Sequence, residues 1–309
     1  MSKPIWRQLP IRILIGNCLK KRIEVHCKSQ SGQSGNFHAV PITQAKAPDT
    51  DILTLPSMDE IAQMCRDLKI PSFWENFLYQ LNTPNTHNLS FRNRVGMMLS
   101  HERKVRFEKR KARLLKESGI RGKLSDYDRM NYDPSRNLDR GLLEELCTCR
   151  WITEDNPAHV IVTGASGTGK TWLIEVLGKC ACQKGISVYY TRMSDLIDML
   201  DIARKEQRVI AARKKINRYQ LLLIDDFAMT PLSDQQADDF LSLIDGRQGV
   251  LATIFASQRD PSEWYDFFGE PFHADAVIDR ILNHRYSIEL RGRSLRERHS
   301  LNLKNPEDV

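Results

Sequence analysis

No apolar run in the 309-residue sequence approaches the ~20 residues that span a bilayer. The short ILI at 13–15 is broken at once by Gly16, Asn17 and Lys20, which excludes a secretory h-region. Cysteine is sparse and unpatterned. The seven cysteines (18, 27, 65, 147, 149, 180 and 182) are an odd number. The C-x-C spacing of Cys147/Cys149 and Cys180/Cys182 is too tight for a zinc ribbon. On a helix, Cys180 and Cys182 would point about 200° apart. Reduced thiols in a cytoplasmic protein are the expectation. Acidic residues are in deficit, 39 against 46 basic, and the net charge of +7 suggests a polyanionic partner.

There is no internal repeat, and composition divides the chain into three zones. Residues 1–56 hold the polar stretch SQSGQSGN (29–36) and scattered prolines without a sustained period, and read as disordered. Residues 57–150 read as helical. Ser57 with Glu60 is a capping-box signal, followed by an amphipathic pattern through Ile61, Met64, Cys65, Leu68 and Ile70. A long helix is expected from about Phe91 to Lys116, with Val95, Met98, Leu99, Val105 and Ala112 as its apolar positions. Within residues 151–309, strands alternate with helices. The order is HVIVT, a helix from Lys170, ISVYYT, a helix from Ser194, LLLID, a helix from Ser233, ATIFAS, short helices, and YSIEL. This alternation predicts an α/β fold, a parallel sheet covered by helices on both faces.

GASGTGKT follows HVIVT directly and fits G-x-x-x-x-G-K-[ST] between a strand and a helix. Gly164, Gly167 and Gly169 allow the tight turn that aims backbone N–H groups of Ala165, Ser166 and Thr168 inward. The helix opening near Lys170 adds its positive end. Lys170 is positioned for the β- and γ-phosphates of ATP, and the Thr171 hydroxyl for Mg²⁺. LLLIDDF (221–227) then explains itself: a strand ending on two adjacent acids is costly unless a cation offsets their repulsion. Asp225 is the metal-side residue, and Asp226 the acid that polarises the attacking water. ATIFASQ ends a fourth strand where ligands of parallel sheets collect, so Ser257 or Gln258 could sense the γ-phosphate. Arg280 falls outside the apolar stripe of ADAVIDRILNH (274–284). It is either a surface arginine or a finger reaching a neighbouring subunit's nucleotide.

Between Arg92 and Lys123 stand twelve basic residues against three acids, Glu102, Glu108 and Glu117. Arg103, Lys104, Arg106, Lys109, Arg110, Lys111 and Arg113 form the densest part. This excess is the footprint of a nucleic-acid-binding surface, read as a DNA backbone site with weak sequence preference and steep salt dependence; the alternative is a basic surface for a protein partner.

From about Met58 to Arg296 the chain resembles the IstB-like ATP-binding helpers of insertion-sequence transposons, relatives of the DnaC helicase loaders within the AAA+ ATPases. The resemblance rests on NLDRGLLEELCTCRWI (137–152), GASGTGKTWL, GISVYYTRMSDLI, LLLIDDF, ASQRDPSEW and GEPFHADAVIDRILNHRYSIELRGRSLR. It implies an AAA+ P-loop core behind an all-helical region. Its roles are Walker A at Gly164, Gly169, Lys170 and Thr171, Walker B at Asp225 and Asp226, sensor 1 at Gln258, and a trans-acting arginine finger at Arg280. It further implies a bacterial ATPase that oligomerises on target DNA, with an ATP site at the subunit interface and a cognate transposase as partner. The alternative is a DnaC-like helicase loader. Two departures matter. Only 29 residues follow Arg280, too few for the helical lid of many AAA+ proteins, which fits this clade and would leave the pocket open on one side. Residues 1–56 have no counterpart and are either an extension or the product of a start codon assigned upstream of Met58.

Overall fold

The computed structural model describes residues 55–122, 127–130, 132–268 and 271–295. The chain divides into two units, Met1–Leu55 and Pro56–Val309, and all the described residues except Leu55 belong to the second. The expectation for residues 1–56 therefore falls, save for Leu55 and Pro56, outside the described residues, as does Lys123.

The helical zone begins with α1 (Met58–Asp67), whose Ser57–Glu60 capping box is formed in both directions. Lys69, in the left-handed region at φ 56°, ends that turn, and Pro71 starts α2 (Pro71–Leu81) at a position where its missing N–H costs nothing. A single turn, α3 (Pro84–His87), leads into α4 (Phe91–Glu117). Two anchors hold α4, one in each half. In its first half, buried Glu102 accepts the Phe73 N–H at 3.0 Å and the Arg106 Nε–H at 2.5 Å, capping α2 from outside. In its second half, Leu114 enters the main core and Arg110 donates to the Gly185 carbonyl at 3.0 Å. The expected apolar stripe is therefore wrong in two places. Leu99 is 57% exposed and Ala112 is exposed, because the buried side of α4 changes direction between its two contacts.

Then follow α5 (Arg140–Thr148) and α6 (Arg150–Thr153), and the alternating part: β1 (His159–Gly164), α7 (Lys170–Gln183), β2 (Val188–Arg192), α8 (Met193–Lys205), α9 (Val209–Ile216), β3 (Leu221–Phe227), α10 (Asp234–Asp245), β4 (Ala252–Ser257), α11 (Pro271–Leu282) and β5 (Arg285–Leu290). Pairing is parallel throughout, in the order β2-β3-β4-β1-β5. Alternation along the strands splits the core. Val160, Val162, Leu221, Leu223 and Ile254 face α5 and α7, while Ile161, Leu222, Ile224 and Phe255 face α8, α10 and α11. α9 was not expected from the sequence, and no side chain caps its start at Arg208. The outer edge of β2 is partly covered: the Tyr190 N–H donates to the Ser118 carbonyl, just past α4, at 2.7 Å. Among the described residues no two cysteines form a disulfide. Cys180 and Cys147 approach to 3.2 Å, and burial raises Cys149 to about 12 and Cys182 to about 11, so these thiols stay protonated.

At the opposite end of the sheet, Arg247 is fully buried. It is held by the Thr253 hydroxyl (2.9 Å) and the carbonyls of Ala252 (2.5 Å) and Tyr219 (3.2 Å). Beside it, His159 Nδ1 accepts the Thr253 N–H at 3.2 Å, which requires that nitrogen to be unprotonated. Burial first, then Arg247 and His284, lower His159 to about 4. An unfolded histidine titrates near ~6.5. Between those values the unfolded chain binds a proton that the folded chain refuses, so this contribution is complete above pH ~6.5 and lost as pH falls towards 4. It amounts to about 3 kcal/mol. Urea midpoints measured at pH 7.5 and 5 should fall less steeply for His159→Gln than for the native chain; equal slopes would remove His159 from the account.

Candidate nucleotide site

The site lies at the carboxyl ends of β1, β3 and β4. Gly164 (φ 145°), Gly167 (φ 83°) and Gly169 (φ 94°) carry the loop through conformations that side chains resist, and their surroundings leave no space. A Cβ on Gly164 would stand 2.3 Å from the Leu290 carbonyl oxygen, and one on Gly167 2.2 Å from Ser294 Oγ. Lys170, buried at the start of α7, donates from Nζ to the carbonyls of Gly164 (2.8 Å) and Ala165 (3.0 Å), so its ammonium lies within the loop. Thr168 is buried, and its hydroxyl donates to the Ala165 carbonyl at 2.9 Å.

The two acids of β3 are separated by a bulge. β3 pairs Ile224 with Phe255 and Phe227 with Ser257, so three steps on one strand match two on the other. Asp226 adopts φ 53°, a left-handed conformation that aspartate tolerates at a cost of roughly 1–2 kcal/mol. Phe227, buried against Phe255, Trp264, Phe267 and Phe240 at centroid distances of 5.1, 4.7, 5.5 and 5.9 Å, offsets that cost. Full burial of such a ring is worth about 1.5–3 kcal/mol. The bulge sends the carboxylates apart. Asp225 is buried and accepts the Thr171 hydroxyl (Oδ2, 2.7 Å), the Tyr190 hydroxyl (Oδ2, 2.9 Å) and the Asp226 N–H (Oδ1, 3.0 Å). Asp226 is half-exposed, with Arg192 Nε at 3.9 Å, a pair too open to fix it. Burial, then the neighbouring Asp225 carboxylate, push the Tyr190 phenol up, keeping it a donor.

The donor set fits a hard cation. Thr171 and Asp225 present oxygen ligands side by side, and phosphate oxygens would supply the remainder. Among the described residues, no cluster of three or more His, Cys, Asp or Glu forms a self-sufficient metal cage.

Ser257 and Gln258 separate clearly. The Ser257 hydroxyl is buried and committed, donating to the Phe227 carbonyl (2.9 Å) and accepting from the Arg259 N–H (3.1 Å) and Trp264 Nε1–H (3.3 Å). Gln258 is exposed, one residue past a row in which Ser257 pairs with both Thr163 of β1 and Phe227 of β3. Its backbone therefore lies between the phosphate loop and the acids. Arg280 does not join them. It donates to Asp245 Oδ1 of α10 (2.5 Å) and to the Ala276 carbonyl (2.6 Å).

Sequence reasoning missed three contributors. Tyr190 was legible in principle, being near the carboxyl end of a strand next to β3. Arg136, which donates to the Thr168 carbonyl at 2.6 Å, had no local signal. Nor had Leu295, whose N–H donates to the Gly167 carbonyl at 2.9 Å. The loop is thus less open than the short C-terminal stretch suggested: residues 291–295 run along it, although no helix follows β5 among the described residues.

The basic residues of α4 are also sorted. At about 100° per residue, Arg103, Arg106, Lys109, Arg110 and Arg113 share one broad arc, while Lys104 and Lys111 point away from it. Arg106 is bound to Glu102 and the Lys69 carbonyl, and Arg110 to Gly185. Lys111 pairs with Glu108 (2.7 Å), and Arg113 lies 3.9 Å from Glu117. Arg103, Lys104 and Lys109 remain exposed on the helix.

A parallel sheet in this order, with a phosphate loop after β1 and paired acids at the end of β3, is the core of a P-loop nucleotide-binding protein. Residues 63–303 match the family described as IstB-like ATP binding protein, and the chain belongs to that family. It is 31% identical over 245 residues to an insertion-sequence ATP-binding protein of Sinorhizobium fredii, covering 79% of this chain and 97% of that one. It is 33% identical over 186 residues to one from Pseudomonas fluorescens, covering 59% and 78%. Among solved structures, the crystal structure of DnaI is similar at 19% identity and a TM-score of 0.46, covering 58% of this chain and 93% of that one. No described helix is long and apolar enough to cross a membrane.

Removing the Ser257 hydroxyl takes a donor from the Phe227 carbonyl and an acceptor from the Arg259 N–H, while Trp264 keeps its 3.3 Å bond to the Arg259 carbonyl, so Ser257→Ala should lower stability by roughly 1–3 kcal/mol. Gln258→Ala should leave stability unchanged. Urea denaturation of both variants decides this, and a Ser257→Ala protein as stable as the native chain would contradict the hub.

Proposed function

We propose that the protein binds ATP and Mg²⁺ at Gly164–Thr171 and Asp225, hydrolyses the nucleotide, and serves as the DNA-bound helper of an insertion-sequence transposase in the bacterial cytoplasm. The observation that carries this reading is the 2.7 Å bond between Thr171 and Asp225, which places a strand-end acid against the phosphate-loop hydroxyl. Membership of the IstB-like family and the insertion-sequence relatives support the biological setting.

In this reading the loop N–H groups and Lys170 hold the phosphates, and Thr171 and Asp225 hold the cation. Mg²⁺, when bound, would neutralise phosphate charge. Asp226, half-exposed beside Asp225, polarises the attacking water, and Gln258 orients that water or senses the terminal phosphate. Arg280 acts on the nucleotide of a neighbouring subunit, which requires it to leave Asp245. The ATP site is therefore completed by oligomerisation. On α4, exposed Arg103, Lys104 and Lys109 meet the DNA backbone first. Arg106, Arg110, Lys111 and Arg113 add field strength while holding the fold together. The helical zone, residues 57–150, is then the DNA-binding and assembly part, and residues 151–309 the ATPase part.

Purified protein should hydrolyse ATP at a rate per subunit that rises with both protein concentration and duplex DNA. Lys170→Ala should lose nucleotide binding. Asp226→Asn should bind ATP and lose turnover by a factor of about 10² or more. Arg280→Ala should remove the concentration dependence, with losses of about 10³ when the finger is well placed. A rate indifferent to concentration and DNA would overturn the assembly model.

A further inference from the structure

Two consecutive carbonyls of the phosphate loop are held by residues outside the loop. The Gly167 carbonyl accepts the Leu295 N–H at 2.9 Å, and the Thr168 carbonyl accepts Arg136 Nη2–H at 2.6 Å. In a planar trans peptide the N–H points opposite to the C=O. Fixing these two carbonyls therefore fixes where the N–H groups of Thr168 and Gly169 point, and those are donors that a phosphate would need. In this structure the Thr168 N–H makes only a long 3.3 Å bond to the Ala165 carbonyl, which a better-placed phosphate oxygen can displace at little cost.

Arg136 is placed for this by its own surroundings. Asp133 caps the short turn Pro134–Arg136, and Asn137, left-handed at φ 54°, ends it and donates to the Glu289 carbonyl at 3.1 Å. The Arg136 carbonyl accepts the Arg291 N–H at 3.0 Å, tying the turn to the segment that also supplies Leu295. The guanidinium comes so close that a Cβ on Gly169 would stand 3.1 Å from it. A side chain at Gly169 would therefore press on the guanidinium as well as meet a strained φ. A guanidinium on a peptide carbonyl also polarises that peptide and strengthens its N–H as a donor.

We infer that Arg136 is a positioning residue of the nucleotide site, setting the Thr168–Gly169 peptide so that its N–H meets the β-phosphate of a nucleoside di- or triphosphate. This rests on the proposed ATP site. The segment 291–295 is the second half of the same clasp.

The test is titration of the full-length chain with a fluorescent ADP analogue and Mg²⁺, alongside urea midpoints without nucleotide. Arg136→Ala should raise Kd about tenfold, keep one site per chain, and leave the nucleotide-free midpoint near the native value. Arg136→Lys, which keeps a charged donor, should recover most of the affinity. Should Arg136→Ala fail to fold, Arg136→Gln replaces it, with a smaller rise in Kd expected. Native Kd in Arg136→Ala with binding lost in Lys170→Ala would overturn the inference and leave the ATP site standing. Fewer sites at unchanged Kd would also overturn it, by showing a purely structural role. Normal binding in both variants would overturn the site itself.

Discussion

The contact between Thr171 and Asp225 joins the start of α7 to the end of β3, and most of the architecture follows from keeping it. A buried carboxylate is expensive unless fully hydrogen-bonded. Asp225 meets that condition with three donors from three different elements: the phosphate-loop helix, the adjacent strand β2, and its own backbone neighbour. Each donor depends on the register of the sheet. A slip of one residue between β2 and β3 would remove Tyr190, and loss of the β3 bulge would turn Asp226 to the wrong face.

Phe227 makes the bulge tolerable. The left-handed Asp226 is strained by itself, but the next side chain is anchored among four rings, and Ser257 fastens its carbonyl. The aromatic cluster behind the site therefore contributes to function without approaching a ligand. It holds the strand end in a shape that presents two adjacent acids to different environments, one buried and held by three donors, the other half-exposed.

Much of this was legible from residue order. The strand–loop–helix context of GASGTGKT and the aliphatic run before Asp225 and Asp226 contain their own local instructions, as do the Ser57 and Ser233 caps. What stayed hidden depends on contacts between distant segments. Nothing near Arg136 signals that its guanidinium reaches residue 168, and nothing in ATIFASQ says that the Ser257 hydroxyl is already used. The apolar stripe of α4 was misread for the same reason. A periodic pattern assumes one burying partner, whereas this helix leans on α2 through Met98 and Glu102 and on the sheet layer through Leu114.

That double attachment gives α4 a mechanical character. At 27 residues it is a rod of about 40 Å, pinned near its C-terminal end by Arg110 on Gly185 and by Ser118 on the backbone of Tyr190. The side chain of that same tyrosine reaches Asp225. A rod pinned to the sheet near one end is a lever with unequal arms: a tilt of about 5° sweeps its far end, together with the α2 packed on it, through about 3 Å while moving its root by a small fraction of that. Load on the far arm, which carries Arg92 and Arg94, is thereby geared down into a small shift at a residue whose two hydrogen bonds link the rod to the acid beside the phosphate loop.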